Sequence, residues 1–248
     1  MASEEPITAS SFSELAEKLG LDPSSRWIGG YVEHAWNRRG ALTAYLPPLE
    51  GLPVLEFGCN IGATAIVLGR LGANVTAVDV DANKIALAKA NAADHGQTIS
   101  FRHVPDTRAL PFPTNCFKAI TCVSVLEYVE RKQLQNIMCE LDRVLAPGGV
   151  LLIQGTSSRL AVKEVHSGRW FVNWLPYPVL ARLQRGVWPW QISPRGYENL
   201  AFADKDRNYL SARLPRRSLA LAATLAHFTG QSLGYFLPSI YLALRKPN

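Results

Sequence analysis

From residue 53 onward, apolar positions alternate between two rhythms. VLEF (54–57), NVTAVDV (74–80), ISFRHV (99–104), FKAITCV (117–123) and GVLLIQG (149–155) are apolar runs bounded by Gly, Asn or Pro, and they read as strands. The stretches 63–71, 82–95 and 133–145 between them repeat their apolar residues at helical spacing, and the last runs into an APGG stop at 146–149. Strands alternating with helices over short connections predict an α/β, doubly wound, mostly parallel sheet covered on both faces. Its ligand is expected at the C-terminal ends of the strands.

Two regions fall outside this rhythm. Residues 1–50 read as an N-terminal helical cap, with SFSELAEKLG (11–20) and YVEHAWNRRGALTAYL (31–46) as helices that can pack over the ligand mouth, leaving 51–248 as the ligand-binding domain. Residues 156–217 form an insert rich in Trp, Pro and Arg, too long for a simple connection, and they read as a substrate lid or membrane-facing segment. After it, 218–230 reads as a helix and 239–247 as a final strand ending in a basic tail. The uncharged run 218–244 has the length of a membrane span, but His227, Gly230, Gln231, Ser232, Gly234 and Pro238 interrupt it, which fits a helix, a turn and a strand better.

Charge sharpens this division. The chain of 248 residues carries a net +6, yet 156–217 alone holds eleven Lys or Arg against four acids, so the basic character is local. Such a segment points to an anionic partner or surface rather than a general nucleic-acid coat. Cys59, Cys116, Cys122 and Cys139 show no zinc-like spacing, and no metal is expected. Few cysteines in an enzyme-sized chain, and a start (MASEEPITAS) with acids and no long apolar run, predict a cytoplasmic protein.

The candidate chemistry begins at VLEFGCNIGAT (54–64), a strand entering a glycine-marked turn and then a helix. A dinucleotide fingerprint would place glycine at Gly58, Asn60 and Ala63, and only the first qualifies. Glu56, just before the turn, would repel a pyrophosphate and suits a ligand with positive charge near the loop. The pattern resembles the class I S-adenosylmethionine-dependent methyltransferases over about 50–155 and the final strand. The resemblance implies their seven-stranded Rossmann-like fold, with S-adenosyl-L-methionine as cofactor. It places Glu56 near the methionine ammonium and Gly58, Cys59, Asn60 and Gly62 along the loop. Asp79, 21 residues after Gly58 and followed by Val80, is placed at the ribose hydroxyls, where a carboxylate can accept two donors. In VPDTRALPFPTNCF (104–117), Asp106 would accept from the adenine amino group with Thr107 beside it, and Ser124 would lie at the cofactor mouth. Lys118 departs from the family's usual aspartate.

A weaker resemblance is to quinone-pathway O-methyltransferases. Their E-x-x-E-H metal motif is represented here by Ser124, Glu127 and Tyr128, so one ligand of three survives. The amino-methylating signature after the fourth strand is replaced by CVSV, which argues against DNA-base methylation. Methyl transfer is mainly a matter of alignment, and a general base helps only a hydroxyl acceptor. The candidate catalytic residues are His34, His166 and Glu127, each with an ordinary structural alternative. Tryptophans 170, 174, 188 and 190, interleaved with Arg169, Arg182 and Arg185, suit a hydrophobic, lipid-linked or anionic small-molecule acceptor, or peripheral contact with an anionic membrane. Nothing resembles an RNA-binding module, so a nucleic-acid partner is not expected. The expected function is methyl transfer to such an acceptor, on oxygen; the alternatives are a non-catalytic cofactor-binding scaffold and a quinone-precursor O-methyltransferase.

Overall fold

The computed structural model describes residues 11–164, 167–175, 186–200 and 216–248. Seven strands form one sheet: β1 (Pro53–Phe57), β2 (Asn74–Asp79), β3 (Ser100–His103), β4 (Phe117–Val123), β5 (Leu145–Ser157), β6 (Glu198–Asn199) and β7 (Ser239–Arg245). Their order across the sheet is β3-β2-β1-β4-β5-β7-β6, with β1 to β5 mutually parallel and β7 antiparallel to both β5 and β6. Among the described residues the helices are α1 (Phe12–Lys18), α2 (Tyr31–Trp36), α3 (Arg39–Thr43), α4 (Ala63–Arg70), α5 (Ala82–Asp94), α6 (Arg131–Val144) and α7 (Arg216–Thr229).

Alternation along the strands builds two cores, one on each face. Val54, Val75, Ala77, Ala119, Leu152 and Ala243 point into the layer that holds α4 and α5. Their sequence neighbours Leu55, Val78, Ile120, Leu151, Ile153 and Leu242 point into the layer under α6. A strand buried on both faces reads as a continuous apolar run, which is why these segments lack strict alternation in the sequence. In α6, Leu134, Ile137, Met138, Leu141 and Val144 are buried at helical spacing against a polar outer face. In α4, six consecutive residues from Ala63 to Leu68 are buried, because α2 packs on the side turned away from the sheet.

The structure departs from the sequence reading in three places. The expected helix over 31–46 is broken into α2 and α3 at Asn37 and Arg38, where Arg38, at φ −107° and ψ 6°, leaves helical geometry. β5 begins at Leu145 and passes through the proline-glycine stretch, with its register against β4 shifting between Phe117 and Ala119. The sixth strand, Glu198–Asn199, lies inside the segment read as a lid and is too short to show a pattern. Elsewhere in that segment the described residues form isolated bridges, Ser158 with Val187 and Lys163 with Trp170, and short 3-10 turns. The run 218–244 is divided among α7, a turn and β7, and no helix among the described residues is long and apolar enough to cross a membrane.

Candidate cofactor and acceptor cavity

The C-terminal ends of β1, β2, β4 and β5 open into a cavity of about 670 Å³ roofed by α2. Its floor is set by the turn after β1. Gly58, Asn60 and Gly62 all have positive φ, at 75°, 50° and 77°, and reverse the chain so that Gly62 caps α4. At Gly58 a Cβ would lie 2.5 Å from the methyl groups of Val125, so a side chain cannot fit. Asn60 occupies the left-handed region that asparagine tolerates better than other residues except glycine. The turn is tied to β2, since the backbone N–H groups of Gly58 and Cys59 both donate to Val78 O at 2.9 Å.

Two carboxyl groups face this turn. The Asp79 carboxylate, 8% exposed, accepts from the backbone N–H of Asn60 at 2.8 Å and of Asp81 at 3.1 Å. Each oxygen therefore has a fixed direction and acceptor capacity left over. Glu56 is 3% exposed, and burial pushes its carboxyl up to about 8; the nearby Asp79 charge adds to this, while hydrogen bonds from the Thr64 hydroxyl and the Ala65 backbone N–H oppose it. Its Oε2 is buried with no hydrogen-bond partner among the described residues.

Cys59, Val80, Thr107 and Ser124 also line the cavity, while Gly62 shapes the turn from behind. The Cys59 thiol is pushed far up by burial and stays protonated. Ser124 has φ 53° and leans on β5, its Oγ 3.4 Å from Gly155 O. Asp106 departs from expectation. Its carboxylate accepts from Arg108 Nε at 2.8 Å and Nη2 at 2.7 Å, which holds it down at about 2, and it is absent from the cavity wall. A guanidinium two residues away captures an acid that has no buried partner to hold it inward.

Of the catalytic candidates, His34 projects from α2 into the cavity, its Nε2 3.0 Å from Arg38 Nη1 and its ring beside Trp27 and Tyr31. An arginine cannot accept, so Nε2 holds the lone pair and the ring is the Nδ1–H tautomer in this contact. Glu127, 1% exposed, lies outside the cavity wall and lines a separate small crevice with Arg131 and Arg159. His166 lies outside the described residues, as do Arg182 and Arg185.

The Methyltransferase domain family model matches residues 55–153, the stretch from β1 through most of β5. A demethylmenaquinone methyltransferase from Tropheryma whipplei is 34% identical over 181 residues, which is 71% of this chain and 68% of that relative. The chain belongs to the class I S-adenosylmethionine-dependent methyltransferases. A ubiquinone biosynthesis O-methyltransferase from Maricaulis maris is 31% identical over 132 residues, 52% of this chain and 51% of that protein. The chain thus spans about half the length of such relatives. The structure of an S-adenosylmethionine-dependent methyltransferase from Mesorhizobium loti has the same fold, with 18% identity, TM-score 0.54 and coverage of 87% of this chain and 100% of that one.

The cavity fits the cofactor of the family. S-Adenosylmethionine is cationic, and Glu56 offers a buried carboxyl oxygen that has no hydrogen-bond partner among the described residues. Asp79 offers residual acceptor capacity at the strand end, and no phosphate is required of a loop that presents two carboxyl groups. Among the polar wall residues that sequence reasoning overlooked are Arg38 and Gln154. Arg38 stands four residues after His34, one helical turn on, and Gln154 is the polar interruption in the apolar run GVLLIQG. Either signal could have exposed them.

Proposed function

We propose that the protein transfers the methyl group of S-adenosylmethionine to an oxygen of a small, hydrophobic acceptor. The observation that carries this reading is a single cavity with an unsatisfied buried carboxyl at one side, Glu56 Oε2, and a histidine on the roof, His34. When bound, the cofactor supplies a methyl group on a positively charged sulfur, already activated toward a nucleophile. Glu56 binds its ammonium, and Asp79 binds the ribose. Asp106 is held by Arg108 and is absent from the cavity wall, so Thr107, which lines it, is the better placed of the pair at that end. The roof residues Trp27, Tyr31 and Leu42 exclude water and favour an apolar ring, and His34 Nε2 receives the acceptor's hydroxyl proton once Arg38 turns from it to the acceptor oxygen. The names of the quinone-pathway relatives favour a ring compound of that general kind.

The reading is tested by following labelled methyl from S-adenosylmethionine into organic-extractable product over a panel of hydroxylated aromatic and quinone-type acceptors. Label transfer that falls about 10²- to 10³-fold in His34→Gln and is kept in Glu127→Gln supports it. Saturable cofactor binding with no labelled product across the panel favours the scaffold reading.

A peripheral membrane contact is part of the same proposal. Trp170, Phe171 and Trp174 are each more than half exposed, packed ring against ring, and Lys163 Nζ lies 5.6 Å from the Trp170 ring. Large aromatic rings beside a cation suit the headgroup region of an anionic bilayer. Flotation with vesicles containing anionic lipid, lost in the Trp170→Ala/Trp174→Ala double variant and absent with purely zwitterionic vesicles, is the expected result. Equal flotation of wild type and double variant would contradict it.

A further inference from the structure

We propose that Arg38 and Gln154 read two neighbouring oxygens on the acceptor, one ionised and one neutral, which defines the acceptor class as an acidic phenol or enol with an adjacent carbonyl or hydroxyl. This rests on the methyltransferase reading above and deepens it on the acceptor side of the same cavity. Gln154 is 92% buried, lines the cavity, and its Nε2 has no hydrogen-bond partner among the described residues. An amide N–H left buried without a partner is destabilising, and a ligand oxygen that accepts from it removes that cost. The glutamine is held in place by its backbone. It lies on β5 opposite Tyr241 of β7, its carbonyl accepts from Ser124 N–H at 2.8 Å, and the register shift at Gly155 follows immediately. At Gly155 a Cβ would come 2.4 Å from Ser124 Oγ, so this bulge requires glycine.

Arg38 supplies the other half. It lines the cavity from the break between α2 and α3, where a continuous helix over 31–46 would have given the backbone a different course. Its guanidinium meets His34 Nε2 at 3.0 Å, which joins a fixed positive charge to a neutral base. For an entering hydroxyl to give its proton to Nε2, Arg38 first releases that lone pair and turns its guanidinium to the hydroxyl oxygen, which keeps the electron pair and the negative charge. The O–H bond breaks and the N–H bond forms; nothing is oxidised or reduced. A neutral alcohol gains little from Arg38, whereas an acidic phenol or enol gains a charge-assisted hydrogen bond. The neutral Gln154 amide then selects a second oxygen that remains uncharged.

Two chromophoric probes test this without turnover: 4-nitrocatechol, which carries two adjacent oxygens, and 4-nitrophenol, which carries one. Each is titrated into the full chain in the presence of S-adenosylhomocysteine and followed by the absorbance of its phenolate, at a pH below the probe's own ionisation. S-Adenosylmethionine affinity is measured separately by calorimetry. The wild type is expected to bind 4-nitrocatechol as the anion and about tenfold more tightly than 4-nitrophenol. Gln154→Leu should bring the two probes level. Arg38→Gln should lose the phenolate band, and Arg38→Lys, which keeps the charge, should retain part of it and stands in should the glutamine variant fail to fold. Cofactor binding with no discrimination between probes, or an unchanged phenolate band in Arg38→Gln, would overturn the proposal. Loss of cofactor binding itself would instead sink the methyltransferase reading.

Discussion

Asp79 joins two tasks in one side chain. It holds the turn through Asn60 and Asp81, and it faces the cavity with acceptor capacity to spare. Asp79→Ala is expected to weaken S-adenosylmethionine binding on the order of 3 kcal/mol or more, while Asp79→Asn, which keeps one oxygen, loses less; calorimetry on both variants checks the ranking. At Asn60 the left-handed backbone is what matters, so Asn60→Gly should leave stability within about 1 kcal/mol of wild type. A β-branched Asn60→Val should cost about 1–2 kcal/mol or more in a denaturant titration. Glu56 and Asp79 were legible because an acid at the end of an apolar strand stands out. Arg38 and Gln154 were not read, because arginine in a polar helix and glutamine in a strand have ordinary explanations until a cavity is seen beside them. Asp106 was placed at the cofactor from its motif alone, and its capture by Arg108 depends on side-chain geometry that no spacing encodes.

Among the elements, the long apolar ones were legible and the short ones were not. β4 spans the predicted 117–123, and α4 and α5 each fall one residue short of their predicted ends, because burial on two faces or one stripe leaves a strong periodic trace. β6, two residues long, leaves none, and its place is set by pairing with Arg245 and Leu244 of β7. The LPF segment illustrates a contact that joins elements. Arg143 of α6 donates to the carbonyls of Phe112 and Leu110, while Glu140 accepts from the Leu110 N–H. Helix α6 thereby pins the loop that runs from Asp106 and Thr107. Arg143→Ala should speed hydrogen exchange at the Leu110 amide by about tenfold or more with a much smaller effect on β1 amides. Equal acceleration in both places would mean the pair stabilises the whole fold instead of the loop.

Across the whole molecule, the carboxyl of Glu56 couples folding, pH and ligand. Its pKa in the folded state, about 8, stands above the ordinary 4.5, so the folded protein holds a proton that the unfolded chain releases. The stability this proton confers is complete below about pH 4.5 and is lost as pH rises through about 8. The ligand-free protein should therefore melt at progressively lower temperature across that window. Glu56→Gln should flatten the part of the slope that belongs to this group. A cationic ligand reverses the preference, because an ammonium beside Glu56 favours the carboxylate. The most direct test of the account is calorimetric titration with S-adenosylmethionine near pH 7 in two buffers of different ionisation enthalpy, with NAD as the comparison. The account predicts saturable binding of S-adenosylmethionine alone, accompanied by release of about one proton that disappears in Glu56→Gln. Binding of NAD instead, or no saturable heat with S-adenosylmethionine, would contradict it.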